Sequence, residues 1–254
     1  MELKELDVLK SLLILMTCYL VILPSHATEP NGLWFGVEIT DYSPYYYLDH
    51  KHRYQGAARD VFDLFANSLN ITTTYEPMTV PRLFNEFFKG NVDLKFPDNP
   101  LWYASSKSDL DVFYSDPIFQ VSESLLVLDE SPKEIAAQNI KQVGSISGFT
   151  LPGIAKHIAN DKFEMVHTQK IEQLIHMLVS GRVQGVYFNE EVALNLAKGM
   201  YPEQELKRHP KFPAFTYAYH LSSIKYPDLI KRFNDFLISH SAQVTKIKKR
   251  YGLK

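Results

Sequence analysis

The chain has 254 residues, with 27 lysines and arginines against 29 aspartates and glutamates, so its formal net charge is −2. A nearly neutral chain lacks the basic surface by which proteins bind nucleic acid, so we expect no nucleic-acid partner. Cys18 is the only cysteine, which excludes an intramolecular disulfide, and the fold must be stabilised by its hydrophobic core.

An apolar run near the N-terminus is typical of an export signal. Residues 11–23 read SLLILMTCYLVIL, 13 residues, whereas a membrane-spanning helix needs about 20. Ser25-His26-Ala27 then supplies small residues at the −3 and −1 positions of a cleavage site. We therefore expect residues 1–27 to be a signal peptide and the mature protein to be periplasmic. Acidic residues outnumber basic ones ahead of the run, so an uncleaved N-terminal anchor is the open alternative.

Strands and helices alternate through the first half of the chain. Val61, Leu64, Phe65 and Leu69 recur at helical spacing, and Pro81 is placed to open a second helix. Strands rich in β-branched and aromatic residues are predicted around these helices, and a hairpin is predicted around a charged tip. The predicted strands are 33–39, 71–75 and 92–96, and the hairpin tip is 49–52.

The second half repeats the alternation. A strand over 141–146 is followed by a helix predicted to begin at about Leu151, and a clear amphipathic helix begins at Ile171. Residues 88–94 and 179–185 share one pattern, the end of a helix, a glycine, one residue and a valine that begins a strand. Further strands are predicted at 163–166 and 183–188, and two C-terminal helical segments contain 229–237 and 244–251.

The repeated pattern predicts an α/β fold of two lobes with parallel sheets. The apolar extended segments 124–128 and 215–221 fall where the chain would pass between the lobes. We therefore predict two linking strands, with a ligand cleft and a hinge between the lobes. The predicted boundaries are 28–124 for the first part of lobe 1, 125–214 for lobe 2 and 215–254 for the return to lobe 1.

Several short motifs occur along most of the chain after residue 27. These motifs, Tyr42-Ser43-Pro44-Tyr45, Gly56 with Asp60, Lys89-Gly90-Asn91-Val92-Asp93, Tyr114-Ser115-Asp116-Pro117, Gly181-Arg182-Val183 and Lys249-Arg250-Tyr251-Gly252, resemble in order those of the family 3 extracellular solute-binding proteins, which serve ABC importers of polar amino acids. The resemblance implies a type II periplasmic-binding-protein fold that closes on a ligand.

Two positions depart from that family. Its members hold the α-carboxylate of an amino acid with an arginine placed before the Phe-Ser-Asp-Pro segment, where this chain has Ser108 beside Lys107. They hold the α-amino group with an aspartate, where this chain has Asn189. A lysine does not replace the planar, bidentate guanidinium. We therefore expect a small polar ligand other than a standard α-amino acid.

The resemblance implies a ligand-stacking role for Tyr42, with surface packing of the lobe as the alternative. Asp98 is a candidate acceptor for a cationic group and Trp102 a candidate π face. Asp98 and Asn99 could equally form only a turn between prolines.

Two further residues are candidates from their place at a helix start. Thr150 precedes a predicted helix, whose free N–H groups favour polar or anionic ligand groups, although it could act only as an N-cap. Arg82 follows Pro81 and could supply a positive charge, although an arginine there is commonly solvated. The candidate ligand-binding residues are thus Tyr42, Arg82, Asp98, Asn99, Trp102, Thr150 and Asn189.

The predicted function is ligand capture by a monomeric protein that presents its ligand to a membrane permease or receptor. We expect no cofactor, no metal and no catalysis. The alternative is an enzyme on the same scaffold, such as a dehydratase of cyclic prephenate-like substrates, with Glu190 or Asp98 as its acid.

Overall fold

The computed structural model describes residues 32–129, 140–160 and 163–253. The predicted signal peptide, residues 1–27, lies outside these ranges, and so does the choice between cleavage and anchoring. None of the helices within these ranges is long and apolar enough to cross a membrane.

Strands and helices alternate as predicted. The strands are β1 Gly32–Glu38, β2 Tyr47–Leu48, β3 Tyr54–Gln55, β4 Thr72–Met78, β5 Leu94–Asp98, β6 Phe113–Tyr114, β7 Phe119–Leu128, β8 Gln142–Ile146, β9 Glu164–Thr168, β10 Gly185–Asn189, β11 Leu206–Arg208 and β12 Phe215–Ser223. The helices are α1 Ala57–Ser68, α2 Val80–Phe88, α3 Ala104–Lys107, α4 Ala155–Ala159, α5 Ile171–Val179, α6 Glu190–Met200, α7 Pro227–Ser239 and α8 Ser241–Arg250.

One ten-stranded sheet carries the fold, in the order β4-β1-β5-β12-β7-β10-β8-β9 with β6 and β11 at its margins. Its first half joins β4, β1 and β5 in parallel, and its second half joins β10, β8 and β9 in parallel. The long strands β12 and β7 pair antiparallel and connect the halves. The predicted α/β fold with two linking strands is confirmed, and the exact lobe boundaries stay a prediction.

Aromatic packing fixes the C-terminal helices against the first half of the sheet. Phe233 of α7 meets Phe65 of α1 edge-on at 4.9 Å between ring centroids and lies 6.0 Å from Phe62. At the far end of the chain, Arg250 and Tyr251 both donate to the carboxylate of Asp60. The end of the chain therefore packs on the helix that follows the first hairpin.

The helix predicted from Leu151 is wrong at its start. The chain turns through residues 151–154, and α4 begins only at Ala155. Leu151 and Ile154 are buried with Leu125 of β7, and a Cβ at Gly153 would lie 2.0 Å from the Tyr187 hydroxyl. Tight packing against the sheet holds this turn. Neither helix propensity nor hydrophobic periodicity predicts such packing.

Candidate functional site

A small cavity of about 20 Å³ lies where the two halves of the sheet meet. Its walls come from β1, β7 and β12, from α2, and from the loops that follow β1, β5 and β8. We call it the central cavity, and its lining residues are Glu38, Tyr42, Tyr46, Val80, Phe84, Trp102, Tyr103, Glu123, Gly148, Phe149, Thr150, Tyr217 and Tyr219.

Aromatic rings form most of the walls. Tyr42 stacks on Tyr46 at 5.2 Å between centroids and packs on Phe188 at 4.8 Å. Trp102 meets Tyr219 edge-on at 5.7 Å. Tyr217 and Tyr219 reach the cavity together because side chains two residues apart on a strand point to the same face. The walls of the cavity thus present both the faces and the edges of aromatic rings.

Glu38, at the end of β1, is one of two carboxyl groups in the walls. The Tyr46 hydroxyl donates to its Oε2 at 2.8 Å. Burial raises the pKa of Glu38 to about 7, although the charge of Lys95 and the Tyr46 hydrogen bond oppose the shift. Glu38 therefore has both a hydrogen-bond donor and a positive charge nearby within the protein.

Glu123, on β7, is the second carboxyl group, and fewer neighbouring groups stabilise its charge than stabilise that of Glu38. It is only 2% exposed, and the Tyr217 hydroxyl donates to its Oε1 at 2.5 Å. Within the described part of the chain, its Oε2 has no hydrogen-bond partner. Burial raises the pKa of Glu123 to about 7, and the Tyr217 hydrogen bond lowers it.

A buried ionic network lies behind the Phe84 and Trp102 side of the cavity. Asp98 accepts from Lys107 at 2.7 Å and from Ser222 at 2.6 Å, and Lys95 lies 3.3 Å from it. The Lys95 ammonium also donates to the Pro97 carbonyl and lies 3.9 Å from the centre of the Phe84 ring. Asp98 supplies one negative charge to the two lysines, and Glu38 is a second carboxyl group that interacts with the charge of Lys95.

The mouth of the cavity is where the two halves touch. The Tyr103 hydroxyl donates to the Gly148 carbonyl at 3.1 Å. Gly148 has φ +86°, and a Cβ there would lie 2.8 Å from the ring of Pro81. Outside this contact the cleft widens between Leu101, Ser105 and Ser106 on one side and Phe149 and Thr150 on the other. A glycine is required both by the backbone conformation and by the close approach.

Three of the residues predicted as ligand contacts line the central cavity together: Tyr42, Trp102 and Thr150. Thr150 reaches it from a loop and does not precede a helix, because the helix starts five residues later. Arg82 is exposed and lies outside the lining.

The other three are engaged with the protein itself and lie outside the lining. Asp98 belongs to the buried network. Asn99 donates to the Ala218 carbonyl at 2.9 Å and accepts from the Leu101 amide. Asn189 caps α6 by accepting from the Val192 amide at 3.1 Å.

Sequence reasoning missed both glutamates and the tyrosines of β12. One signal was present, since Glu123 interrupts an otherwise core-like strand, Phe119–Leu128, and Glu38 ends another, Gly32–Glu38. An acid inside a buried strand is rare unless it is paired or functional. No cluster of three or more metal-ligating side chains occurs in the described ranges.

The family comparison agrees with this architecture. The model of the bacterial extracellular solute-binding proteins, family 3, matches residues 35–254, so the chain belongs to that family. The predicted resemblance is confirmed. No curated protein sequence matches the chain significantly.

Solved structures share the fold at low sequence identity. An ancestral arginine-binding protein bound to arginine superposes with a TM-score of 0.71 at 21% identity, covering 87% of this chain and 98% of the other. An ancestral amino-acid-binding protein, a precursor of cyclohexadienyl dehydratase, gives 0.69 at 18% identity, covering 87% and 95%. A histidine kinase sensor domain with similarity to periplasmic binding proteins gives a TM-score of 0.68 at 13% identity, covering 86% of this chain and 95% of the other. They are two-lobed proteins of the same architecture.

Proposed function

We propose that this solute-binding protein captures a small polar ligand in the central cavity and presents it to a membrane partner, either an ABC importer or a signalling receptor. The observation that supports this most is the aromatic cavity itself, with its two buried glutamates and with walls drawn from both halves of the sheet. Closure of the halves about β7 and β12 would enclose the ligand, and the contact between Tyr103 and Gly148 would hold the mouth.

The same cavity argues against a standard α-amino acid as ligand. Its charged lining residues are Glu38 and Glu123, both acidic, so an α-carboxylate would meet no cationic partner there. Lys107, beside the expected arginine position, is directed to Asp98 and to the Asn99 carbonyl. A carboxylate buried without a counter-charge is strongly disfavoured. The ancestral relative has arginine bound, and this ligand belongs to that protein and does not identify the ligand of this chain.

A thermal-stabilisation screen of purified protein against amines, amino acids, sugars and organic acids tests the proposal. We expect at least one class of small solute to raise Tm, and Trp102→Ala to abolish the rise. Trp34→Ala is the matched control, because Trp34 is 47% exposed and lies outside the cavity. A flat response to every class would contradict the proposal.

The buried glutamates also support a second candidate, an enzyme on this scaffold. A carboxyl group whose pKa is raised to about 7 is suited to general acid catalysis, and Glu38 and Glu123 fulfil this condition inside the cavity. Asp98 and Glu190, the acids first considered, are bound to Lys107 and Arg208 respectively. Turnover of a cyclohexadienyl acid by the wild type, abolished in Glu123→Gln, would favour this candidate over binding alone.

Export through a cleaved signal peptide and a monomeric state complete the proposal. Mass spectrometry of the mature protein from a periplasmic extract should place the N-terminus at residue 28, and a retained leader would indicate an anchor instead. Sedimentation of the purified protein should give the mass of one chain.

A further inference from the structure

We propose that the central cavity binds a protonated organic amine without a carboxylate, and that an N–H of this amine donates to Oε2 of Glu123. This inference rests on the proposed solute-binding function and specifies its ligand. It assigns to Glu123 a contact with the ligand, a role that neither the sequence motifs nor the family resemblance gave it.

The first support is that only one of the two carboxylate oxygens of Glu123 accepts a hydrogen bond in the described ranges. Oε1 receives the Tyr217 hydroxyl, whereas Oε2 has no partner in the described ranges, although the side chain is 2% exposed and lines the cavity. Buried polar atoms are normally hydrogen-bonded, and a buried acceptor left without a donor lowers stability. A donor supplied by the ligand would remove this cost on binding.

The second support is the sign of the charge that the cavity presents. Both charged residues in the lining are glutamates. Lys95 and Lys107, which lie behind the wall, are paired with Asp98 and with backbone carbonyls. Glu38 has Lys95 as a compensating charge, and no positive group contributes to the pKa of Glu123. The charge that remains uncompensated is negative and lies at Glu123.

The third support is the aromatic composition of the walls. Tyr42, Tyr46, Trp102, Tyr217 and Tyr219 surround the cavity. Aromatic faces attract cations, most strongly where water is excluded. The same rings shield the methylene groups of an alkylamine. A neutral solute would gain no such electrostatic attraction, and an anion would be repelled by both the faces and the glutamates.

A carboxylate on the ligand is excluded by the same residues. An amino acid that placed its ammonium against Glu123 would bring its carboxylate into a cavity whose described lining has two acids and no lysine or arginine. The comparison of an amino acid with its decarboxylated amine therefore isolates the proposed specificity, because the two differ only in that group.

The experiment measures binding of two such pairs by isothermal titration calorimetry at pH 8, arginine against agmatine and lysine against cadaverine, with choline as a cation that has no N–H. We expect each amine to bind at least about tenfold more tightly than its amino acid, and more tightly than choline. In Glu123→Gln we expect amine affinity to fall at least about tenfold. Glu203→Gln, which removes the same charge at an exposed position outside the cavity, should leave affinity unchanged.

Each contrary outcome is distinct. Amino acids that bind as tightly as their amines would overturn the exclusion of a carboxylate, and amine binding unchanged in Glu123→Gln would overturn the role of Glu123. Choline binding that equals amine binding would overturn the N–H contact. If only neutral or anionic solutes bind, the ligand class is wrong and the solute-binding function stands. If no class binds, the proposed function itself fails.

Discussion

The hydroxyl of Tyr217 donates a 2.5 Å hydrogen bond to Oε1 of Glu123 and so joins the two strands that connect the halves of the molecule. Tyr217 lies on β12 and Glu123 on β7, strands that pair antiparallel with Phe215 opposite Glu123. The bond therefore fixes one oxygen of the carboxylate between the two linking strands, while the other oxygen has no hydrogen-bond partner among the described residues. A ligand contact at Glu123 would act directly on the strands about which the halves would move.

Removing the Tyr217 hydroxyl should weaken amine binding in a pH-dependent way. The hydrogen bond lowers the pKa of Glu123, so Tyr217→Phe should raise that pKa above about 7 and leave more of the carboxyl group protonated at neutral pH. We expect amine affinity to fall about tenfold at pH 7 and to recover partly at pH 9. Calorimetric titrations at the two pH values check this, and an equal loss at both would indicate a purely structural effect.

The ligand-free protein should be more stable at mildly acidic than at neutral pH. The folded-state pKa values of Glu38 and Glu123 are raised from 4.5 to about 7, so the folded state binds more protons than the unfolded state between these values. Their contribution to stability is complete below pH 4.5 and is lost as pH rises through about 7. Each group contributes a slope on the order of 1 kcal/mol per pH unit in that window.

Thermal unfolding from pH 5 to pH 7.5 measures this dependence, and Glu123→Gln should reduce its slope because the amide does not titrate. Lys95, whose pKa burial lowers to about 8, acts on stability mainly above this window. A wild-type Tm that rises steadily from pH 5 to pH 7.5 would contradict the prediction.

Truncation of Asp98 should destabilise the fold strongly. Asp98→Ala leaves Lys95 and Lys107 buried without their common partner, and breaking a buried ion pair in this way costs about 3–5 kcal/mol. Asp235→Ala is the matched control, because its pair with Lys231 is on the surface and should cost under about 1 kcal/mol. Urea unfolding of both variants tests the difference, and similar costs would argue against a structural role for the network.

An alanine at Gly148 should impair ligand capture. Gly148 has φ +86°, which costs an L-residue about 1–2 kcal/mol, and the added methyl group would meet Pro81 across the mouth. We expect Gly148→Ala to reduce affinity for whichever solute binds the wild type. Gly199→Ala, in α6 with open space around it, should be neutral or slightly stabilising. Equal affinity in the two variants would show that the mouth does not have to close tightly.

The local elements were predictable because they depend on periodicity and on residues close in sequence. The amphipathic spacing of Ile171, Leu174, Ile175 and Leu178 predicted α5, and all four side chains are buried. The start of α4 was not predictable, because the turn at residues 151–154 is held by packing against β7 and Tyr187.

The sequence could indicate which candidate residues lie at the cavity only where the position of the side chain does not depend on polar partners from other segments. Tyr42 and Trp102 line the cavity, and their contact with a ligand stays a prediction. Asp98 was proposed as a ligand acceptor, but Lys107 and Ser222, which reach it from other segments, use its oxygens. Its role depends on partners that only the folded chain brings together.

The sequence by itself determined the alternating α/β pattern and the two linking strands, since these follow from local composition and motif order. That Ser108 and Asn189 replace the usual amino-acid contacts is implied by the family resemblance and stays a prediction. Only the tertiary structure decided that Glu38 and Glu123, some 85 residues apart in the chain, line one aromatic cavity. The physical reason is that burial and hydrogen bonding are properties of the assembled sheet. Among the described residues, none donates a hydrogen bond to Oε2 of Glu123, and no local sequence pattern encodes this.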